Sequence, residues 1–163
     1  MKNIKLEVLT GESMERIQEV VGIEQEIFSD AWGQASLMET VQQAHTYAIC
    51  AIENELATQK VLGYFIAYQS FEEADVARVA VSTKARRCGI ADQLLEAYWK
   101  YCKLQGITRV LLEVRSSNDA AISLYQKHGF MELGTRKNYY TKPLEDGIVM
   151  EKELGITTSQ VGL

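Results

Sequence analysis

A mixed β-sheet with helices on both faces is the fold this sequence predicts. Three observations lead to it. Strand-like and helix-like segments follow one another in the order β-α-α-β-β-β-α-β-α-β-β. An apolar strand at Val79–Val81 passes through a short basic loop into an amphipathic helix. The stretch Ile107 to Val114 is apolar enough for a strand covered on both faces. A chain of 163 residues fits one domain with a proper core. That domain is read as residues 1–154, and the small, polar segment 155–163 as a disordered tail.

Each element has its own signal. Ile4 to Leu9 alternates apolar and polar residues as a strand does. Ser13 is placed to cap a helix whose apolar positions Met14, Ile17, Val20, Val21, Ile27 and Phe28 recur at helical spacing. A break at Ser29–Gly33 precedes a short helix from about Gln34 to Gln43. Thr46 to Ile52 and Val61 to Tyr68 are strands around a polar turn at Glu53–Glu55, and Asp75 to Val81 is the next strand. The helix after Gly89 carries Ile90, Ala91, Leu94, Leu95, Tyr98, Tyr101 and Cys102 on one broad face, and Gly106 stops it. Asn118 caps a helix from Asp119 to Lys127, which ends at His128-Gly129. Phe130 to Leu133 and Ile148 to Glu153 are the last strands, joined by a polar connection holding Pro143.

Composition excludes several classes of function. The formal net charge of −5 argues against a general nucleic-acid binder. No apolar run reaches membrane-spanning length, and the first residues lack the apolar centre of a signal peptide, so a cytoplasmic location without membrane attachment is expected. Three cysteines with no C-x-x-C pair, and two histidines, indicate neither a disulfide framework nor a metal site.

Within this acidic chain, Lys84, Arg86 and Arg87 concentrate positive charge where Arg86, Gly89 and Ala91 spell R-x-x-G-x-A. Glycine lets a ligand approach the backbone, and the first turn of a helix offers unpaired N–H groups to an anion. The combination points to a phosphorylated ligand. A turn with solvated charges would account for the stretch taken alone.

A second segment, Leu112-Glu-Val-Arg-Ser-Ser-Asn-Asp-Ala-Ala-Ile-Ser-Leu-Tyr-Gln-Lys-His-Gly-Phe130, follows at a fixed distance. Arg136-Lys-Asn-Tyr-Tyr140, then Glu145-Asp-Gly-Ile-Val-Met150, completes the set, and the break between Phe28 and Trp32 lies upstream. Together these resemble the GNAT superfamily of N-acetyltransferases, and within it the RimI-type ribosomal-protein-alanine N-acetyltransferases. The resemblance implies a mostly antiparallel sheet with a splayed central strand pair. It implies acetyl-CoA as donor, without a metal, and a protein N-terminus, that of a ribosomal protein, as acceptor.

The site residues follow from the same resemblance. The backbone of Val79, Ala80 and Val81 would bind pantetheine and the acetyl carbonyl. Arg86, Arg87, Cys88, Gly89, Ile90, Ala91 and Asp92 would receive the pyrophosphate, and Asn118 would touch the cofactor. Glu113 matches the general base and Tyr125 the general acid; Tyr139 and Tyr140 would lie near the acceptor. Each residue also has a plainer reading: an ion pair of Glu113 with Arg115 or another neighbour, core packing for Tyr125, and a helix cap for Asn118. For Tyr139 and Tyr140 it is strand packing, and for Cys88 a small filler. Ser82-Thr83 and Ala91 depart from the family's Asp-Pro and final Gly, and Ala91 is small enough to keep the helix close.

The reaction so implied is direct acetyl transfer to an N-terminal amine. Acetylation of lysine side chains or of a small amine, and a non-catalytic acetyl-CoA-binding module, are the alternatives.

Overall fold

The computed structural model describes residues 3–55 and 59–155. The expected tail therefore lies outside the described residues from 156 onward. The elements are β1 (Ile4–Val8), α1 (Met14–Ile27), α2 (Gln34–Gln42), β2 (Thr46–Asn54), β3 (Gln59–Ser70), β4 (Glu73–Val81), α3 (Ile90–Gln105), β5 (Arg109–Arg115), α4 (Asp119–Lys127), β6 (Met131–Thr141) and β7 (Leu144–Glu153). A 3-10 turn, Thr83–Ala85, sits between β4 and α3. The order of helices and strands is the one expected. The hydrogen-bonded strands run β1-β2-β3-β4-β5-β7-β6, antiparallel except for β4 with β5 among the registered pairs. Contacts divide the chain into two compact units, Met1–Tyr68 with Ala77–Tyr98, and Gln69–Val76 with Trp99–Leu163.

In the first unit, strand alternation sends neighbours to opposite faces. Cys50, Ile52, Tyr64 and Ile66 join Ile17, Val20 and Ile23 of α1 and Leu37 of α2 in one buried cluster. Phe65 and Tyr47 turn the other way, and Tyr98 of α3 stacks on both, with centroids 4.6 and 4.9 Å apart. Helices thus cover both faces here. Burying side chains of this size contributes about 1.5–3 kcal/mol each. Gly63 is required where β3 meets β4, because a Cβ there would stand 2.9 Å from the Ala80 carbonyl oxygen.

At the centre of this unit lies an acid in a core position. Glu24 is 0% exposed. It receives the Tyr64 hydroxyl, the Trp32 backbone N–H at 2.9 Å and the Arg78 Nε at 3.2 Å. Arg78 also donates to the Asp30 carbonyl at 3.0 Å, and its guanidinium lies 4.0 Å from the Phe28 ring centre and 4.7 Å from that of Trp32. Burial, then the charge of Glu24, pushes the Tyr64 phenol far above its ordinary range, so it stays a donor. Trp32 is a packing residue against this cluster.

In the second unit, β5 pairs with β7 along its whole length, but with β4 only from Glu73–Asp75 to Arg109–Leu111. Leu112 faces Met150 in register, both buried. β5 does not read as a strand covered on both faces. Val110, Leu112 and Val114 are buried while Arg109, Leu111, Glu113 and Arg115 are half-open. Side chains alternate across a strand, and the half-open face is the one that carries the charged residues Arg109, Glu113 and Arg115.

Three local expectations also change. Ser13 makes no side-chain cap to α1; its hydroxyl accepts from Thr10 N–H at 2.9 Å instead. The polar turn starts later than Glu53, since Glu53 and Asn54 still pair with Lys60 and Gln59. The polar connection before β7 is largely strand, because β6 runs to Thr141 with its register interrupted between Arg136 and Tyr140. Pairing with β7 outweighs the polar composition. Asn118, by contrast, caps α4 as expected through Ala121 N–H at 3.2 Å, and Gly106 and Gly129 end their helices at φ +71° and +91°.

The Glu24 cluster generates a stability test. Glu24→Ala would leave the Arg78 charge and the Tyr64 hydroxyl buried without their acceptor, and should cost about 3–5 kcal/mol. Glu24→Gln, which keeps an acceptor, should cost less. Urea unfolding followed by circular dichroism measures both.

Candidate functional site

The first unit carries the basic loop at which an anion is expected. β4 ends at Val81, and Ser82 N–H donates to the Leu62 carbonyl at 2.8 Å, which fixes the exit of the strand. After the 3-10 turn, Arg87 and Gly89 adopt φ of +63° and +73°. Two left-handed residues within three turn the chain sharply, and only glycine does so without steric cost. A Cβ at Gly89 would meet nothing within 4 Å, so the space beside it is open. Gln93 N–H takes the Gly89 carbonyl at 3.1 Å, so α3 begins immediately after. The N–H groups of Ile90, Ala91 and Asp92 fall in the first turn, where a helix leaves donors unpaired and carries positive partial charge.

The side chains divide the work. Arg86, Arg87, Cys88 and Gly89 are exposed, whereas Ile90 is buried and anchors the helix start. The Cys88 thiol points back to the Arg86 carbonyl at 3.6 Å and acts as a small loop residue. Val79 and Val81 are half-buried and Ala80 buried, so the strand offers backbone groups more than side chains. An open glycine, two exposed arginines and a helix start together fit a pyrophosphate.

One contributor escaped the sequence reading. The Glu26 carboxylate, near the end of α1, accepts from both the backbone N–H of Thr83, at 2.8 Å, and its hydroxyl. It thereby holds the 3-10 turn that leads into the basic loop. These hydrogen bonds, with the charges of Lys84 and Arg86, hold its carboxyl below the usual range. A lone exposed Glu at a helix end gives no sequence signal for this contact.

The second unit carries Glu113 and Tyr125, the residues expected as base and acid. Glu113 stands on the half-open face of β5 with its side chain 30% exposed, and Oε1 lies 3.3 Å from Arg136 Nη1. Its partner is Arg136, not Arg115. Arg115 instead donates to the Pro143 carbonyl at 2.9 Å and lies 4.4 Å from the Tyr140 ring centre. Asp75 on β4 is a further acid nearby. Partial desolvation, then the charges of Glu113 and Glu73, raise its carboxyl, and Arg109 offsets part of this.

Tyr125 on α4 is buried against Phe130, with ring centres 5.6 Å apart. Burial, then Tyr140, raises its phenol well above the ordinary tyrosine range, so it keeps its proton through the physiological range. Tyr139 and Tyr140 meet edge to face at 5.0 Å on the irregular part of β6, where Asn138 has φ +53° and its N–H binds Asp146 at 2.8 Å. Such a bulge re-aims side chains relative to a regular strand. Tyr139 is exposed and Tyr140 half-buried. Among the described residues no group of three His, Cys, Asp or Glu side chains could hold a metal ion, and no helix is long and apolar enough to cross a membrane.

The Glu26 contact predicts a pH dependence. Its folded carboxyl lies below the ordinary 4.5, so its contribution is present above that value and fades as pH falls through the lowered one. Glu26→Gln should therefore be less stable than wild type at neutral pH, and the gap should close in acid, below the ordinary 4.5. Urea midpoints at the two pH values check this.

Comparison with known proteins agrees with this geometry. The model of the acetyltransferase (GNAT) family matches residues 17–130. The ribosomal protein bS18-alanine N-acetyltransferase of Haemophilus influenzae is 34% identical over 129 residues, 70% of this chain and 88% of that one. A Bacillus subtilis protein named as a candidate for the same activity is 31% identical over 140 residues, 84% of this chain and 89% of that one. The crystal structure of the ribosomal-protein-S18-alanine N-acetyltransferase from Escherichia coli aligns with a TM-score of 0.84 at 26% identity, over 99% of this chain and 100% of that one. The chain belongs to the GNAT family of acetyltransferases.

Proposed function

We propose that this acetyltransferase moves acetyl from acetyl-CoA to the α-amine of a protein N-terminus, with the N-terminal alanine of ribosomal protein bS18 as acceptor, in the cytoplasm. Residues 1–154 would act as one catalytic domain. The observation that carries the reading is that one unit holds both a half-open carboxylate, Glu113, and a phenol that keeps its proton, Tyr125. One group is suited to accept a proton and the other to give one. The names of the relatives supply the acceptor.

In this reading Arg86 through Asp92 hold the pyrophosphate and Asn118 contacts the cofactor. Backbone donors of Val79–Val81 meet the acetyl carbonyl oxygen as it gains charge. When bound, acetyl-CoA supplies an already activated thioester. Glu113 takes one proton of the acceptor ammonium and the freed amine forms the new N–C bond; Tyr125 protonates the sulfur as the C–S bond breaks, and the second proton that the nitrogen sheds restores the phenol. Tyr139 and Tyr140 flank the acceptor chain. An α-amine near pKa 8 costs roughly 1.4 kcal/mol to deprotonate at pH 7, against roughly 4.6 for a lysine near 10.4. One carboxylate base is matched to the first task.

Two measurements test the reading. Tyr125→Phe should lower kcat while acetyl-CoA affinity holds, and Glu113→Gln should lose most at neutral pH and recover at higher pH. Each should fall within about 100- to 10,000-fold. Wild-type rates in both, with chemistry limiting, would reject these roles. For the acceptor, mass spectrometry compares an alanine-starting, lysine-containing peptide with its N-blocked form. Acetylation at the free terminus is expected; efficient lysine acetylation of the blocked peptide, with the free terminus untouched, would favour the lysine-directed alternative.

A further inference from the structure

The reaction above gives Arg136 no part, although Arg136 is the cation that Glu113 meets. Arg136 Nη1 lies 3.3 Å from Glu113 Oε1, and the two side chains are 55% and 30% exposed. The contact uses one nitrogen and one oxygen, not the two-pronged geometry that makes guanidinium–carboxylate pairs strong. An open, single-bonded pair is easily broken. The guanidinium also has a second support, because its carbon lies 4.4 Å from the ring centre of Tyr139. Of the two arginines on β5, Arg109 is engaged with Glu73 and Glu151, and Arg115 with the Lys142 and Pro143 carbonyls and the Tyr140 ring. The neighbouring acid, Asp75, adds negative charge beside Glu113 and so favours a cation there.

We propose that Arg136 occupies at Glu113 the place taken by the acceptor's α-ammonium, and that the ammonium must displace it before Glu113 can accept a proton. The inference rests on the reading of Glu113 as the base. Arg136 is then a positioning residue and a filter. Displacement exchanges one N–H···O contact for another without covalent change, and only a group with its own positive charge replaces what Glu113 loses. A neutral terminus does not. Tyr139 offers the displaced guanidinium a place to rest, so the exchange leaves no charge without a partner.

Two inhibitors separate charge competition from simple loss of structure. One is the alanine-starting acceptor peptide with its α-nitrogen trimethylated, cationic and unable to be acetylated; the other is the des-amino peptide, which is neutral. In Arg136→Met the acceptor KM should fall about two- to fivefold, the range spanned by an exposed ion pair, with acetyl-CoA KM unchanged. The inhibition constant of the trimethylated peptide should fall by the same factor, and that of the des-amino peptide should stay. Arg136→Lys should return part of the wild-type behaviour. A raised or unchanged acceptor KM, or an equal gain by both inhibitors, would overturn the proposal. Should the Met variant not fold, Arg136→Gln serves in its place. Glu113→Gln is the reference: wild-type kcat in it would mean that the base assignment has failed. An impaired Glu113→Gln alongside unchanged affinity of Arg136→Met for the cationic inhibitor would mean that the displacement alone has failed.

Discussion

The Glu24 carboxylate has no contact with solvent, and its oxygens are claimed by a phenol, a backbone amide and a guanidinium. Those partners come from β3, from the segment after α1 and from β4. A buried charge is tolerated only when it is so completely satisfied, and its partners are constrained in return. Arg78 cannot leave β4 without stranding Glu24, and the Phe28–Trp32 segment is held by stacking on the same guanidinium. The position of β4 relative to α1 is thus set by charge as well as by packing. The basic loop begins where β4 ends.

A second acid on the same helix extends this control. Glu24 points into the core, and Glu26, two residues on, reaches Thr83. Residues two apart on a helix face different directions, so α1 touches both the strand and the loop that follows it. The basic loop is therefore braced at its base by carboxylates. Glu26 spends its acceptors on Thr83 and leaves the arginines exposed.

Much of this was legible in the sequence. The order of elements, the cap at Asn118, the stops at Gly106 and Gly129 and the left-handed Gly89 all follow from local chemistry, and local chemistry is what a sequence displays. The family followed from residues grouped between Val79 and Met150. Glu24 was legible and missed: it continues the helical stripe of Ile17, Val20 and Ile27, and an acid in such a stripe signals a buried partner. Other features depend on strand neighbours. The length of β6 reflects its pairing with β7, the short reach of the pairing between β5 and β4 is set by both strands, and the choice of Arg136 over Arg115 depends on where the β6–β7 turn folds back. None of these is encoded within a window of a few residues.

The chain has two tryptophans, and the fold gives one to each unit. Trp32 lies against a guanidinium in the first, while Trp99 in the second sits beside Phe130, donates to His128 Nδ1 at 3.1 Å and has the Lys152 ammonium 4.7 Å from its ring centre. The two indoles therefore occupy different electrostatic surroundings and emit as separate reporters. Phenylalanine at one position leaves a single tryptophan, so the unit that holds the basic loop and the unit that holds Glu113 and Tyr125 can each be watched optically, without an attached dye.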